Sequence, residues 1–204
     1  MSKQFLDRVY EGRSPEESRK LYDEWSPTYD DDMDEHGYTT PARCAAALVG
    51  IADSFEEPVL DFGCGTGRSG VHLVESGFRH VDGCDISEAM IKVARNRQIY
   101  RQLTVIEPDG SLPFEKGEYR HIAAVGVISV GAASISMMDR LIDMLDDRGT
   151  LTFSFNDHTM QNAEYTARVS EFVDTSTVDL LFKERGDHLP GIGLQSTVFV
   201  MRKR

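Results

Sequence analysis

The segment Val59-Leu60-Asp61-Phe62-Gly63-Cys64-Gly65-Thr66-Gly67 constrains the fold more than any other stretch of this chain. A short apolar run ends in three glycines at alternate positions, and a helical pattern opens directly after them. The run reads as a buried strand, and the glycines permit the positive φ and close backbone approach of a strand-to-helix turn. In an open α/β sheet such a turn lies at the carboxyl end of the strand, where ligands bind. The remaining sequence fits the same scheme. Apolar runs at 59–62, 80–84, 103–106, 122–127, 150–155, 178–183 and 197–202 alternate with helical patterns at 67–76, 88–98, 135–145 and 161–173. That alternation predicts right-handed βαβ units and a parallel sheet covered on both faces. Between the last two runs lie Gly186, Pro190, Gly191 and Gly193, which predict a hairpin and not a crossover helix. The expected fold is therefore α/β, a doubly wound, seven-stranded, mostly parallel sheet with its antiparallel last strand closing one edge.

At 204 residues the chain suits one domain, 1–204, with a helical front segment or lid at 1–40 and the core at 41–204. Thirty-four acidic against 22 basic residues give a net charge of −12, a field that repels phosphate backbones and anionic lipid. Neither nucleic acid nor a membrane is an expected partner. Three scattered cysteines, Cys44, Cys64 and Cys84, form no disulfide framework, and His80 with Cys84 lacks the second pair that a zinc site needs, so no metal is expected. The first twenty residues hold no apolar core of signal-peptide length, and the longest mostly apolar stretch, 122–130, is too short to span a membrane. A reduced, cytoplasmic monomer or homodimer is expected. Ser14 and Pro15 mark a helix start, while Asp30, Asp31, Asp32, Asp34 and Glu35 read as a solvated acidic face.

Two ligands compete for the glycine turn. Gly65 to Gly70 spells GxGxxG, and Asp85 follows Gly65 at the spacing of a dinucleotide fingerprint, so NAD and an oxidoreductase must be weighed. Against NAD, Gly63 and Cys64 already belong to the turn, and Asp61 brings a carboxylate that repels phosphate and suits a cationic ligand. The length of chain before the strand also counts against a dinucleotide domain.

The segments VLDFGCGTG and CDISEAM resemble those of class I S-adenosylmethionine-dependent methyltransferases. LPFEKGEY, LDDRGTLTFSF and the strand–strand ending extend the resemblance over most of the chain. Within that superfamily it is similar to the small ubiquinone-biosynthesis-like group and, through YDEWSPTYDDDMDEHGY and NDHT, to the methyltransferase-like proteins of the Williams–Beuren region. Tyr119-Arg120 and Asp147-Arg148-Gly149 depart from the family's usual Phe-Asp and Pro-Gly-Gly.

The resemblance implies a Rossmann-like fold and S-adenosylmethionine as cofactor. Gly63, Gly65 and Gly67 would line its methionine part, with Asp61 reaching the ammonium group through water or backbone. Asp85 would accept both ribose hydroxyls, as a carboxylate has acceptor sites for two donors, provided Ser87 caps the next helix and leaves it free. Ile86 and Met90 would pack on adenine or else be ordinary core. The acid for the adenine amino group is Glu107 or Asp109, with Asp109 preferred and Gly110 supplying an N–H. Tyr22, Trp25 and Tyr29 share one face if a single helix continues through Pro27, and would fold over the cofactor or dock the helix onto the core. Tyr29 would face the transferred methyl, and His158, after the fifth strand, is the candidate base, against the plainer reading of a solvated histidine. Three functions stand: a methyltransferase acting on a small molecule, a non-catalytic S-adenosylmethionine-binding protein, and an NAD-dependent oxidoreductase.

Overall fold

A computed structural model describes Phe5, residues 14–108 and residues 110–204. Helices α1 (Pro15–Trp25), α2 (Tyr29–His36) and α3 (Thr40–Val49) precede the sheet. Then follow β1 (Val59–Phe62), α4 (Arg68–Glu75), β2 (Val81–Asp85), α5 (Glu88–Asn96), β3 (Leu103–Val105) and β4 (His121–Ala124). The chain ends with α6 (Ser136–Met144), β5 (Thr150–Asn156), α7 (Asp157–Met160), α8 (Ala163–Asp174), β6 (Val178–Leu189) and β7 (Leu194–Lys203).

The seven strands lie in the order β3-β2-β1-β4-β5-β7-β6. β1 pairs in parallel with β2 and β4, and β4 in parallel with β5. β7 is antiparallel to both β5 and β6, which corrects one expectation: the antiparallel strand is inserted inside the sheet, and β6 forms the edge. The physical reason is burial. β7 carries the apolar run Val198–Met201, which an interior position covers, whereas β6 carries Asp179, Lys183, Glu184, Arg185 and Asp187, which an edge can leave in water.

Alternation along β1 divides the core. Leu60 and Phe62 pack with Phe153, Phe155, Met138 and Leu141 beneath α6 and α8. Val59 points the other way, toward Leu48 of α3 and Leu73 of α4. Ser14 caps α1 in a reciprocal box with Glu17, and Ser87 caps α5 by accepting from the Met90 N–H. The front helix does not pass Pro27: α1 ends at Trp25 and α2 begins at Tyr29. All three cysteines are buried and unpaired, and no metal-ligating cluster occurs among the described residues.

Candidate cofactor site

Strand order reverses between β1 and β4, and the turns leaving these strands part at that switch point. A cavity of about 360 Å³ opens there, within the range of small-ligand sites. Its walls include Gly63 and Gly65 from the β1 turn, Asp85 and Ile86 from the end of β2, and Met90 from α5. Tyr22 and Tyr29 close it from the front segment, while Glu107, Leu112 and Met137 lie on the far side.

The turn holds its shape through Asp85. The Gly65 N–H donates to its Oδ2 and the Ser87 N–H to its Oδ1, both at 2.8 Å. Ser87 caps α5 as expected, yet Asp85 is not free of backbone partners. Each carboxylate oxygen retains lone-pair capacity, so the group can still accept hydroxyl donors from a ligand. Burial pushes its pKa up, and the backbone N–H groups oppose that shift.

Asp61 stands behind the turn and does not line the cavity. It is fully buried, and its Oδ2 accepts from Ser69 at 2.7 Å and Tyr100 at 2.6 Å. Its Oδ1 has no hydrogen-bond partner within normal geometry among the described residues, and burial raises the carboxyl to about 6 against the hydrogen bonds from Tyr100, Ser69 and the Gly70 backbone. Gly67 also faces away: a Cβ there would meet Arg97 and Tyr100. Only Gly63 and Gly65 of the three glycines reach the cavity.

Four other expectations are corrected. The Gly110 N–H is already donated to the Glu107 carbonyl, so it offers nothing to a ligand; Glu107 lines the cavity, and Asp109 lies outside the described residues. Trp25 is buried in the front segment, with its indole N–H on Asp32 at 2.7 Å and its ring against Tyr22 and Tyr29, so it braces that segment instead of lining this cavity. His158 is exposed on α7 and outside the cavity wall, because α7 turns its side chain outward while Thr159 packs in. The acidic stretch is not a solvated face. Asp32 is buried, Asp30 accepts from Thr66 at 2.6 Å and pairs with Arg97, and Asp34 pairs with Arg68 at 2.6 Å. These contacts bind α2 to the glycine turn, and the Ser87 hydroxyl donating to Asp23 at 2.6 Å binds α1 to the end of β2. Charge in the segment was legible; its arginine partners lie too far away in sequence to be read.

Four buried groups govern acid stability. Burial holds His121 and His188 down at about 4, against 6.5 for a free imidazole. Between those values the unfolded chain takes up two protons that the fold refuses. Asp61, raised from 3.8 to about 6, works in the opposite sense with one proton, and Asp85 adds to it. The histidine contribution is whole above pH 6.5 and is lost as pH falls toward 4, so stability should drop on acidification with a slope of at most ~1 kcal/mol per pH unit. Urea midpoints at pH 6.5 and 4.5 check this; a higher midpoint at the lower pH contradicts it.

A sheet of this order with a ligand cavity at its switch point is the architecture of class I S-adenosylmethionine-dependent methyltransferases. Residues 59–149 match the family model described as a methyltransferase domain. Methyltransferase-like protein 27 of Homo sapiens is 29% identical over 135 residues, 62% of this chain and 54% of that protein. A demethylmenaquinone methyltransferase of Tropheryma whipplei (strain Twist) is 32% identical over 124 residues, 59% of this chain and 51% of that protein. A shorter match, 31% identical over 91 residues (44% of this chain, 31% of that protein), is a probable 18S rRNA (guanine-N(7))-methyltransferase of Dictyostelium discoideum. The chain thus spans about half the length of the first two relatives. In fold it superposes on the [4+2]-cyclase SpnF with a TM-score of 0.71 at 12% identity, covering 96% of this chain and 98% of that one. No helix among the described residues is long and apolar enough to cross a membrane.

Proposed function

We propose that the chain is an S-adenosylmethionine-dependent methyltransferase whose acceptor is a small molecule held between residues 14–40 of the front segment and the carboxyl edge of the sheet. The observation that carries this reading is the pairing, across one cavity, of the Asp85 carboxylate and the bare Gly65 backbone with an apolar wall of Ile86, Met90 and Leu112. A nucleoside joined to an amino acid needs that combination: hydroxyl acceptors for the sugar, a close backbone approach beside them, and apolar cover for the base.

The residues fit such a cofactor. A Cβ at Gly65 would meet nothing within 4 Å, so the backbone there borders open space. Behind the turn, the unpartnered Oδ1 of Asp61 leaves negative charge with which a ligand's ammonium group is compatible, acting through water or backbone. Asp85 would take the ribose hydroxyls, and Glu107 or Asp109 the adenine amino group. When bound, the cofactor supplies a methyl group already activated on a sulfonium. What remains for the protein is alignment and exclusion of water. Tyr22 and Tyr29 would do both as part of the lid. Tyr29 keeps its hydroxyl protonated through burial, so it would act there as a hydrogen-bonding wall.

The net charge of −12 favours a small acceptor over nucleic acid. A non-catalytic ligand-binding role is the second reading, since superposition on a cyclase shows that the fold alone does not fix the reaction. Calorimetric titration with S-adenosylmethionine, S-adenosylhomocysteine and NAD tests the cofactor, with the first two expected to bind and NAD not. Labelled-methyl transfer to small-molecule extracts or to RNA then tests the acceptor. Transfer to RNA alone overturns the small-molecule reading, and cofactor binding without transfer to either favours the second.

A further inference from the structure

A smaller cavity of about 60 Å³ adjoins the first and shares Tyr22, Tyr29, Tyr38 and Gly126 with it. Its own polar walls are Ser129, Ser154, Asn156 and His188. His188 sits at the end of β6, nine-tenths buried, with its ring edge-on to Tyr38 at 5.1 Å. Its Nδ1 lies 2.7 Å from Thr40 Oγ1, which in turn lies 2.8 Å from Ser196 Oγ. Arg43 Nη1 donates to that Ser196 oxygen at 3.1 Å.

Arginine can only donate, and this gives the chain of hydrogen bonds a direction. If Ser196 donates to Thr40 and Thr40 to Nδ1, every hydroxyl proton has an acceptor. In the reverse direction the Ser196 proton has none among the described residues, in an interior where Thr40 and Ser196 are fully buried. An unmade bond there is penalised, so the first direction holds. Nδ1 is then an acceptor, and the ring proton sits on Nε2. The His188 carbonyl accepts from the Thr39 N–H, but its ring has no hydrogen-bond partner beyond Thr40 among the described residues, so Nε2–H is the polar group it can offer to the cavity it lines. Burial, with Arg43 nearby, keeps the ring neutral and its pKa at about 4.

We propose that this pocket seats a carbonyl or carboxylate oxygen of the methyl acceptor, with His188 Nε2–H as its hydrogen-bond donor and Arg43, Ser196 and Thr40 as positioning residues that fix the tautomer. The proposal rests on the methyltransferase reading of the adjoining cavity. It makes the acceptor an oxygen-bearing small molecule, gripped by an oxygen on one side of Tyr22 and Tyr29 while its reacting atom faces the other.

Long-range proton–nitrogen spectra of nitrogen-15-labelled protein report the tautomer directly, with His188→Asn identifying the His188 signals by their loss. The Nε2-protonated form is expected in the wild type. Thr40→Val should abolish that preference, and Thr40→Ala, which removes the same hydroxyl, provides the same reading if Thr40→Val fails to fold. Acetate and acetamide serve as probes for the carboxylate and the neutral carbonyl. Either should shift Nε2–H, and its dissociation constant, followed at the Gly126 amide, should rise about tenfold in His188→Asn, the equivalent of one hydrogen bond. An Nδ1-protonated ring in the wild type, or an Nε2–H that neither probe moves, overturns the proposal. Because His188 does not line the larger cavity, S-adenosylhomocysteine binding can be measured separately; its failure would overturn the cofactor reading and with it the methyl acceptor, while the oxygen-binding role of His188 is decided by the tautomer and the two probes.

Discussion

Gly63→Ala is expected to cost a large share of the protein's stability, whereas Gly65→Ala is expected to fold and bind cofactor poorly. Both residues have positive φ, +68° and +53°, so alanine at either position carries a backbone penalty of about 1–2 kcal/mol. Their surroundings separate them. A Cβ on Gly63 would lie 2.4 Å from Cγ2 and 2.8 Å from Cγ1 of Val127, distances that force the turn or the neighbouring strand end to move. Overpacking of that kind adds roughly 1–3 kcal/mol, so the total is a large share of a typical domain's stability. A Cβ on Gly65 would meet nothing within 4 Å. Its methyl would instead occupy space that a ligand approaching the Gly65 backbone must use, and a loss of affinity of about tenfold or more is expected. Urea denaturation and calorimetric titration with S-adenosylhomocysteine measure the two effects. Unchanged binding in Gly65→Ala would remove the turn from the cofactor site. Unchanged stability in Gly63→Ala would show that Val127 yields easily.

Asp85→Ala should abolish cofactor binding at ordinary concentrations. The carboxylate is assigned two tasks, holding the Gly65 and Ser87 N–H groups and accepting ligand hydroxyls. Removing it leaves two inward-facing donors without partners, at about 1–3 kcal/mol each, and also deletes hydrogen bonds of a charged group to ligand. A loss of at least about a hundredfold in affinity is expected, together with reduced stability. Asp85→Asn separates the tasks. Its one carbonyl oxygen can satisfy one N–H, while its amide must face the other donor, so the turn should loosen although the shape of the side chain is kept. If Asp85→Asn binds S-adenosylhomocysteine as tightly as the wild type, neither the ribose role nor the support of the turn survives.

Local pattern explains what was legible. β1 with its glycine turn, Asp85 at the end of β2, the Ser14 and Ser87 caps and the alternation of strands and helices each lie within a few residues of their own signal. Hydrophobic periodicity and turn chemistry act at that range. The same locality accounts for the errors. Tyr22, Trp25 and Tyr29 lie at helical spacing, but Ser26 to Thr28 break the helix; the three rings stay in contact, with Tyr22 and Tyr29 on the larger cavity and the indole bracing the front segment behind them. His158 follows the fifth strand where a base was expected, yet the first turn of α7 carries it outward.

By itself the sequence determined the class of fold, the glycine turn after β1 and Asp85 at the end of β2, because strand, turn and capping preferences are written in neighbouring residues. Only the tertiary structure decided that β7 lies inside the sheet, that Asp30 reaches Thr66 and Arg97, that Asp61 turns to Ser69 and Tyr100, and that His188 meets Thr40 across 148 positions of chain. Such contacts are set by which buried surfaces must be covered and which buried polar groups must be paired, and both conditions are met by residues brought together only when the sheet closes over its helices.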